Sequence, residues 1–169
     1  MVELKAKDIA VIGLLSASIT IGKLALSLVP NVEIVSLLFI VYTIVFGVKH
    51  SIIISIIFST TEIFIYGLST WLLGYYFIWP MLIFITHIVK KTVKDEYGYA
   101  TIAGLFGLFF GVFFAIVESF FYGYAYGLTY WIRGIPFDIL HGVSNFIIVL
   151  ILFNPITKIM IYVYEGFNS

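Results

Sequence analysis

The feature that most constrains this chain is a succession of long apolar stretches that almost no charge interrupts. Trp71–Val89 holds no Asp, Glu, Lys or Arg, and Tyr99–Tyr122 holds only Glu118. A spanning helix needs about 20 mostly apolar residues, and these stretches meet that length. The composition agrees. Of 169 residues, 62% are hydrophobic and 11% charged, against about 25% charged in an ordinary soluble domain. A chain this short has too much surface to be so apolar in water, so lipid is the consistent solvent. The formal net charge of zero gives no electrostatic footprint for nucleic acid, and the lack of cysteine excludes disulfides and thiolate metal sites.

The pattern predicts an all-α integral membrane protein, one domain over residues 1–169, with a bundle of six transmembrane helices. The spans are Asp8–Val29, Ile34–Gly47, Ser51–Tyr66, Trp71–Val89, Tyr99–Tyr122 and Phe137–Tyr162, the last broken near Pro155. The second is short, so it begins earlier or lies against protein. The N-terminal run has no A-x-A-like cleavage site and is interrupted by Lys23, so it is expected to be a retained first helix and not a signal peptide.

Lysine placement orients the bundle. Lys5, Lys7, Lys49, Lys90, Lys91, Lys94 and Lys158 fall on one side of a six-span arrangement, so both termini are expected to be cytoplasmic. The other polar residues gather toward the opposite side. Lys23, Glu62 and Glu118 lie within spans near their outer ends. Asn31, Glu33 and Arg133 lie in outer loops, and Asp138, His141 and Asn145 descend from the outer end of span six. Their spacings of 3, 4 and 7 place those last three on one helical face. Charges in hydrocarbon usually face a cavity or a partner. Trp71, Tyr75, Tyr76, Trp79, Tyr122, Tyr124, Tyr126, Tyr130 and Trp131 belong to the same outer half, and an aromatic wall with a few convergent polar groups suits a small-molecule pocket.

Plainer roles compete. Outer aromatics also form the interfacial belt of any membrane protein, and for Tyr124, Tyr126 and Tyr130 both readings stay open. Lys23 could snorkel outward, Glu33 and Arg133 could be solvated loop charges, and Asp138 could cap a helix after Pro136. Catalytic readings are weaker. Asp138-x-x-His141 has no third metal ligand at a recognisable spacing, and neither H-E-x-x-H nor G-x-S-x-G occurs. A proton-coupled carrier usually carries midplane charges and an internal repeat; here the charges read as high in the bundle. Small residues recur as Gly13-x-x-x-Ala17 and Ser18-x-x-x-Gly22 in span one, and as Ala103, Gly107, Gly111 and Ala115 in span five. Such spacing lets helix backbones approach closely. Span five reads as internal packing, and span one as a docking face.

Four stretches carry a family resemblance: VPNVEIVSLLFIVYTIVFG (29–47), IYGLSTWLLGYYFIWP (65–80), AGLFGLFFG (103–111) and YWIRGIPFDILHGVSNF (130–146). With six short spans and no ATPase motif, the chain resembles the substrate-binding S components of energy-coupling factor transporters from Asp8 to Asn154. The resemblance implies a multi-pass protein of a prokaryotic plasma membrane that is not itself an enzyme. It would capture a vitamin or related micronutrient from outside, without a cofactor of its own. Its partners would be a transmembrane coupling subunit and two ATP-hydrolysing subunits. The family's small-residue motif on the first helix maps onto Gly13 and Ala17 as the coupling-subunit contact, with Gly in place of the first Ala.

Within that frame Trp71, Tyr75, Trp79 and Trp131 would stack on ligand rings. Asn31, Asp138, His141 and Asn145 would hydrogen-bond its polar edge. Glu62 and Glu118 would bind a cationic group or orient those donors, and Arg133 would suit a carboxylate or phosphate. Either ligand charge is possible from the sequence. B vitamins, cobalamin, thiamine precursors and queuosine precursors remain open. A stand-alone proton-coupled carrier and an intramembrane enzyme using Asp138 and His141 are the alternative readings.

Overall fold

A computed structural model describes residues 5–168; residues 1–4 and 169, which fall in the expected 1–169 domain, lie outside it. The regular structure of the described residues is all helix, with elements α1 (Ala6–Leu26), α2 (Val35–Val45), α3 (Gly47–Tyr66), α4 (Thr70–Val89), α5 (Glu96–Leu108), α6 (Phe110–Tyr122) and α7 (Tyr124–Asn168). Five apolar helical stretches are long enough to cross a membrane, α5 and α6 counting together as one. Helices suit lipid because every backbone group bonds within its own segment.

The short α2 is the centre of the bundle. Its 11 residues span only ~16 Å, less than a bilayer core, and Val35 to Thr43 are all buried. It packs against α7, α4, α3 and α1. A helix that is apolar all round is stable where protein surrounds it on every side.

The largest departure from expectation is α7. The sequence predicts a loop up to Pro136 and a break near Pro155, because proline lacks an N–H and clashes with the preceding turn. Instead the helix runs unbroken through both prolines for 45 residues, ~67 Å at full length. Packing supplies what the prolines cost. Gly123, at φ +87°, reverses the chain after α6, and α7 returns antiparallel along α6 and then α5, its two largest neighbours. Gly107 lies against the Gly142 backbone, where an added Cβ would sit 2.9 Å from it. The small residues of span five thus serve internal packing.

Two consequences follow. Arg133 lies in a helix and not in a loop, and Asp138 is a mid-helix residue and not a cap. Asp138 also sits 14 residues, ~21 Å, along α7 from its start, so it and His141 lie well inside the helix and not at its beginning. The expected fifth span is interrupted at Phe109, which separates α5 from α6.

Candidate functional site

The C-terminal ends of α1, α3 and α6 and the first turns of α4 and α7 come together at the end of the bundle away from most lysines. The segment 27–34 joining α1 to α2 folds inward there. Asn31, at φ +57°, turns that segment, and its carbonyl accepts the Ser144 hydroxyl at 2.7 Å. Below the mouth is a cavity of about 510 Å³ walled by Trp71, Tyr75, Tyr126, Tyr130, Phe110 and Phe114. Its polar groups include Asn31, Arg133, Asp138 and His141. A second cavity of about 370 Å³ adjoins it, sharing Asn31, Trp71, Tyr75, Phe110 and His141 and adding Lys23, Glu33 and Trp79.

The helical spacing brings Asp138 and His141 to one wall. The Gly111 N–H, in the first turn of α6, donates to Asp138 Oδ1 at 3.0 Å, a carboxylate at the positive end of a half-helix. A Cβ on Gly111 would collide with that carboxylate, so a larger residue there would turn the Asp138 side chain aside. Asp138 Oδ2 is buried without a partner among the described residues. His141 packs its ring against Phe110, 4.7 Å between centroids, and its Nε2 lies 3.4 Å from Glu33 Oε1. Glu33 Oε2 also accepts the Ser36 N–H at 2.9 Å, at the start of α2. Burial works to raise the Glu33 carboxyl, but His141 and the two Ser36 donors outweigh it and hold the carboxyl below its ordinary range.

Lys23 pairs with Glu62, whose side chain is fully buried. The ammonium is ringed by Tyr66, Tyr75, Trp71 and Phe58, with centroids 4.8, 5.2, 5.7 and 5.9 Å away. Lys23 therefore turns into the bundle. Ring faces attract a cation by their quadrupoles, and the carboxylate offsets the cost of burying it.

The structure brings six expected site residues onto the cavity walls: Asn31, Trp71, Tyr75, Arg133, Asp138 and His141. Trp79 lines the adjoining cavity, buried in a ring cluster with Phe39 and Tyr75. Four others stand apart. Trp131 faces a groove between α6 and α7 with Val112 and Ile116, because a two-residue step along a helix turns it to the side opposite Arg133. Glu118 accepts the Thr70 hydroxyl at 2.6 Å and ties α6 to α4. Glu62 is taken by Lys23. Asn145 is buried one turn below His141 and donates to Ser36 Oγ at 3.3 Å.

Sequence reasoning groups Glu33 with the outer polar residues but leaves open a solvated loop charge; its side chain is largely buried, 14% exposed. The cavity-lining role of Phe110 and Gly111 is not foreseen. For the open tyrosines, Tyr126 and Tyr130 line the cavity, while Tyr124 is exposed and borders the outer groove with Trp131. On α1, Ser18 bonds the Tyr42 hydroxyl at 2.6 Å and Gly22 packs against Ile34, so that pair faces inward. Gly13 and Ala17 are exposed, and a Cβ on Gly13 would meet nothing within 4 Å. Among the described residues no three His, Cys, Asp or Glu side chains cluster as metal ligands. Compared with family models, with curated proteins and with solved structures, the chain matches none.

Proposed function

We propose that this protein is a membrane-embedded capture subunit. It binds a small ring-bearing micronutrient in the cavity beside α7 and presents it for uptake, in the manner of the S components its sequence resembles. The observation that carries the reading is the cavity itself. It has aromatic walls from α4, α6 and α7, a few polar groups on one α7 face, and a mouth at the end opposite the lysines. On the lysine rule that mouth opens outside the cell and both termini lie in the cytoplasm. In this reading α2, though short, counts as the sixth span, lined by protein and not by lipid. Trp71 and Tyr75 stack on the ligand ring, and Asp138 and His141 meet its polar edge. The exposed Gly13–Ala17 face of α1 receives the coupling subunit of an ATP-driven module.

The test is a tryptophan-fluorescence titration of the purified protein against vitamins and their precursors. Saturable quenching is expected from Trp71 and Trp79 and should survive Trp131→Phe. Asp138→Ala and His141→Ala should each weaken binding by about tenfold, ~1.4 kcal/mol. No response from a folded protein would overturn the reading.

One observation favours a second reading. Asp138 and His141 lie deep along α7, as the charges of a proton-coupled carrier do. Transport by the chain alone in proteoliposomes, driven by a pH gradient without ATP, would select it.

A further inference from the structure

The capture reading leaves the ligand's charge open, and the pairing of charges at the cavity end speaks to it. Four carboxylates lie there, and each has at least one oxygen partnered, with Asp138 Oδ2 left free to accept from a ligand N–H or O–H. Glu62 holds Lys23. Glu33 faces His141 and accepts the Ser36 N–H. Glu118 accepts the Thr70 hydroxyl, and Asp138 accepts the Gly111 N–H. Of the two permanent cations at this end, Lys23 is committed to Glu62. Arg133 has no hydrogen-bond or ion-pair partner among the described residues, and it lines the cavity. Tyr126, Tyr130, Arg133 and Phe137 recur at spacings of 4, 3 and 4 along α7, so Arg133 stands in the same aromatic stripe that walls the site. It sits five residues, ~7.5 Å, nearer the start of α7 than Asp138.

Resting on the capture reading, we infer that the ligand is a planar heteroaromatic molecule carrying an anionic group, a carboxylate or a phosphate, which Arg133 binds at the mouth. The ring lies between Trp71, Tyr75 and Tyr130, with its polar edge toward His141 and Asp138. A guanidinium fork matches either oxyanion with two parallel hydrogen bonds. The aromatic cage around Lys23 does not compete for a cationic ligand, because its ammonium already fills it.

Calorimetric titration of the full chain in detergent tests this with matched pairs that differ in charge. Nicotinate against nicotinamide probes the carboxylate, and flavin mononucleotide against riboflavin probes the phosphate. Tetramethylammonium serves as the cationic control. The anionic member of one pair should bind about tenfold or more tighter than its neutral partner, and the pair that responds names the oxyanion. Arg133→Gln should erase that difference, while Arg133→Lys should keep part of it. A neutral partner binding as tightly, binding of tetramethylammonium alone, or a preference that persists in Arg133→Gln would overturn the assignment and leave the capture reading standing. If the wider vitamin panel finds a ligand outside these pairs, a neutral or cationic one overturns the assignment and an anionic one sensitive to Arg133→Gln upholds it. A folded protein that binds nothing in any panel sinks both.

Discussion

The two ends of this bundle treat their polar residues in opposite ways. At the lysine end the partners are wet, whether near in sequence or far. Asp8 accepts the Lys5 N–H at 2.9 Å and lies 3.4 Å from His50 Nε2. Lys94 bonds its own turn through the Lys90 carbonyl, and Asp95 caps α5 through the Gly98 N–H. At the cavity end the partners are distant in sequence and buried. Lys23 reaches Glu62, Glu33 reaches His141, Ser144 reaches the Asn31 carbonyl, and Asn145 reaches Ser36. A solvated charge costs a fold almost nothing, whereas a buried one must be matched by another element. The cavity end therefore carries cost that packing alone would not require, and a ligand site is the reason proposed above for retaining it.

The sharpest way to break this contrast is to remove one partner at each end. Lys23→Met leaves Glu62 ionised or neutralised in a buried place with no counter-charge. Loss of one partner of a buried pair costs about 3–5 kcal/mol. The thermal midpoint in detergent should fall steeply, and the double variant Lys23→Met/Glu62→Leu should recover part of it. Asp8→Asn at the wet end should leave the midpoint unchanged. Equal effects from the two single variants would erase the distinction between the ends.

The same contrast explains how far the sequence could be read. Spans one, three and four were legible because their apolar runs end at clear breakers, such as Gly67 after α3 and the Lys90–Asp95 link after α4. Asp138, His141 and Asn145 were legible as one face because their spacing is helical wherever that helix begins. The start of α7 was not, because Pro136 reads as a boundary in isolation. The signal against it lay upstream: Tyr126, Tyr130, Arg133 and Phe137 already follow the helical period. Trp131 was misplaced for the same reason, since a residue assigned to a loop has no face. Glu33 stays open between site and solvated loop charge in the sequence because its burial depends on the 27–34 segment folding inward. That fold rests on contacts from α7 more than a hundred positions away.

A second comparison sets the small residues of α5 against those of α1. Gly107 touches the Gly142 backbone, which cannot move aside as a side chain could. Gly107→Ala should force α5 and α7 apart and cost about 1–3 kcal/mol, the usual range for overpacking. Gly13→Ala adds a methyl to open space and should leave the midpoint where it was. If the Gly13 face receives a coupling subunit, a bulkier change there, Ala17→Trp, should spare both stability and ligand binding yet stop uptake. A Gly107→Ala protein as stable as the wild type would mean that the α5–α7 contact is looser than its geometry implies.

The smallest expected effect concerns the 27–34 segment that borders the cavity. Glu33 sits outside the helices, and its carboxyl is held below the ordinary value of 4.5 because His141 and Ser36 outweigh the cost of its burial. A carboxyl lowered in the folded state contributes stability that is full above its unfolded value and is lost as pH falls through the folded one. Wild type should therefore exceed Glu33→Gln in thermal midpoint at pH 7, and the gap should narrow as pH drops below about 4.5. Comparing the two proteins cancels the carboxylates they share, so the narrowing reports Glu33 alone. A gap that stayed constant from pH 7 to pH 3 would show that the charge of Glu33 does not hold the 27–34 segment to α7. The attachment of that segment to α7 would then rest on the neutral Ser144 contact to the Asn31 carbonyl.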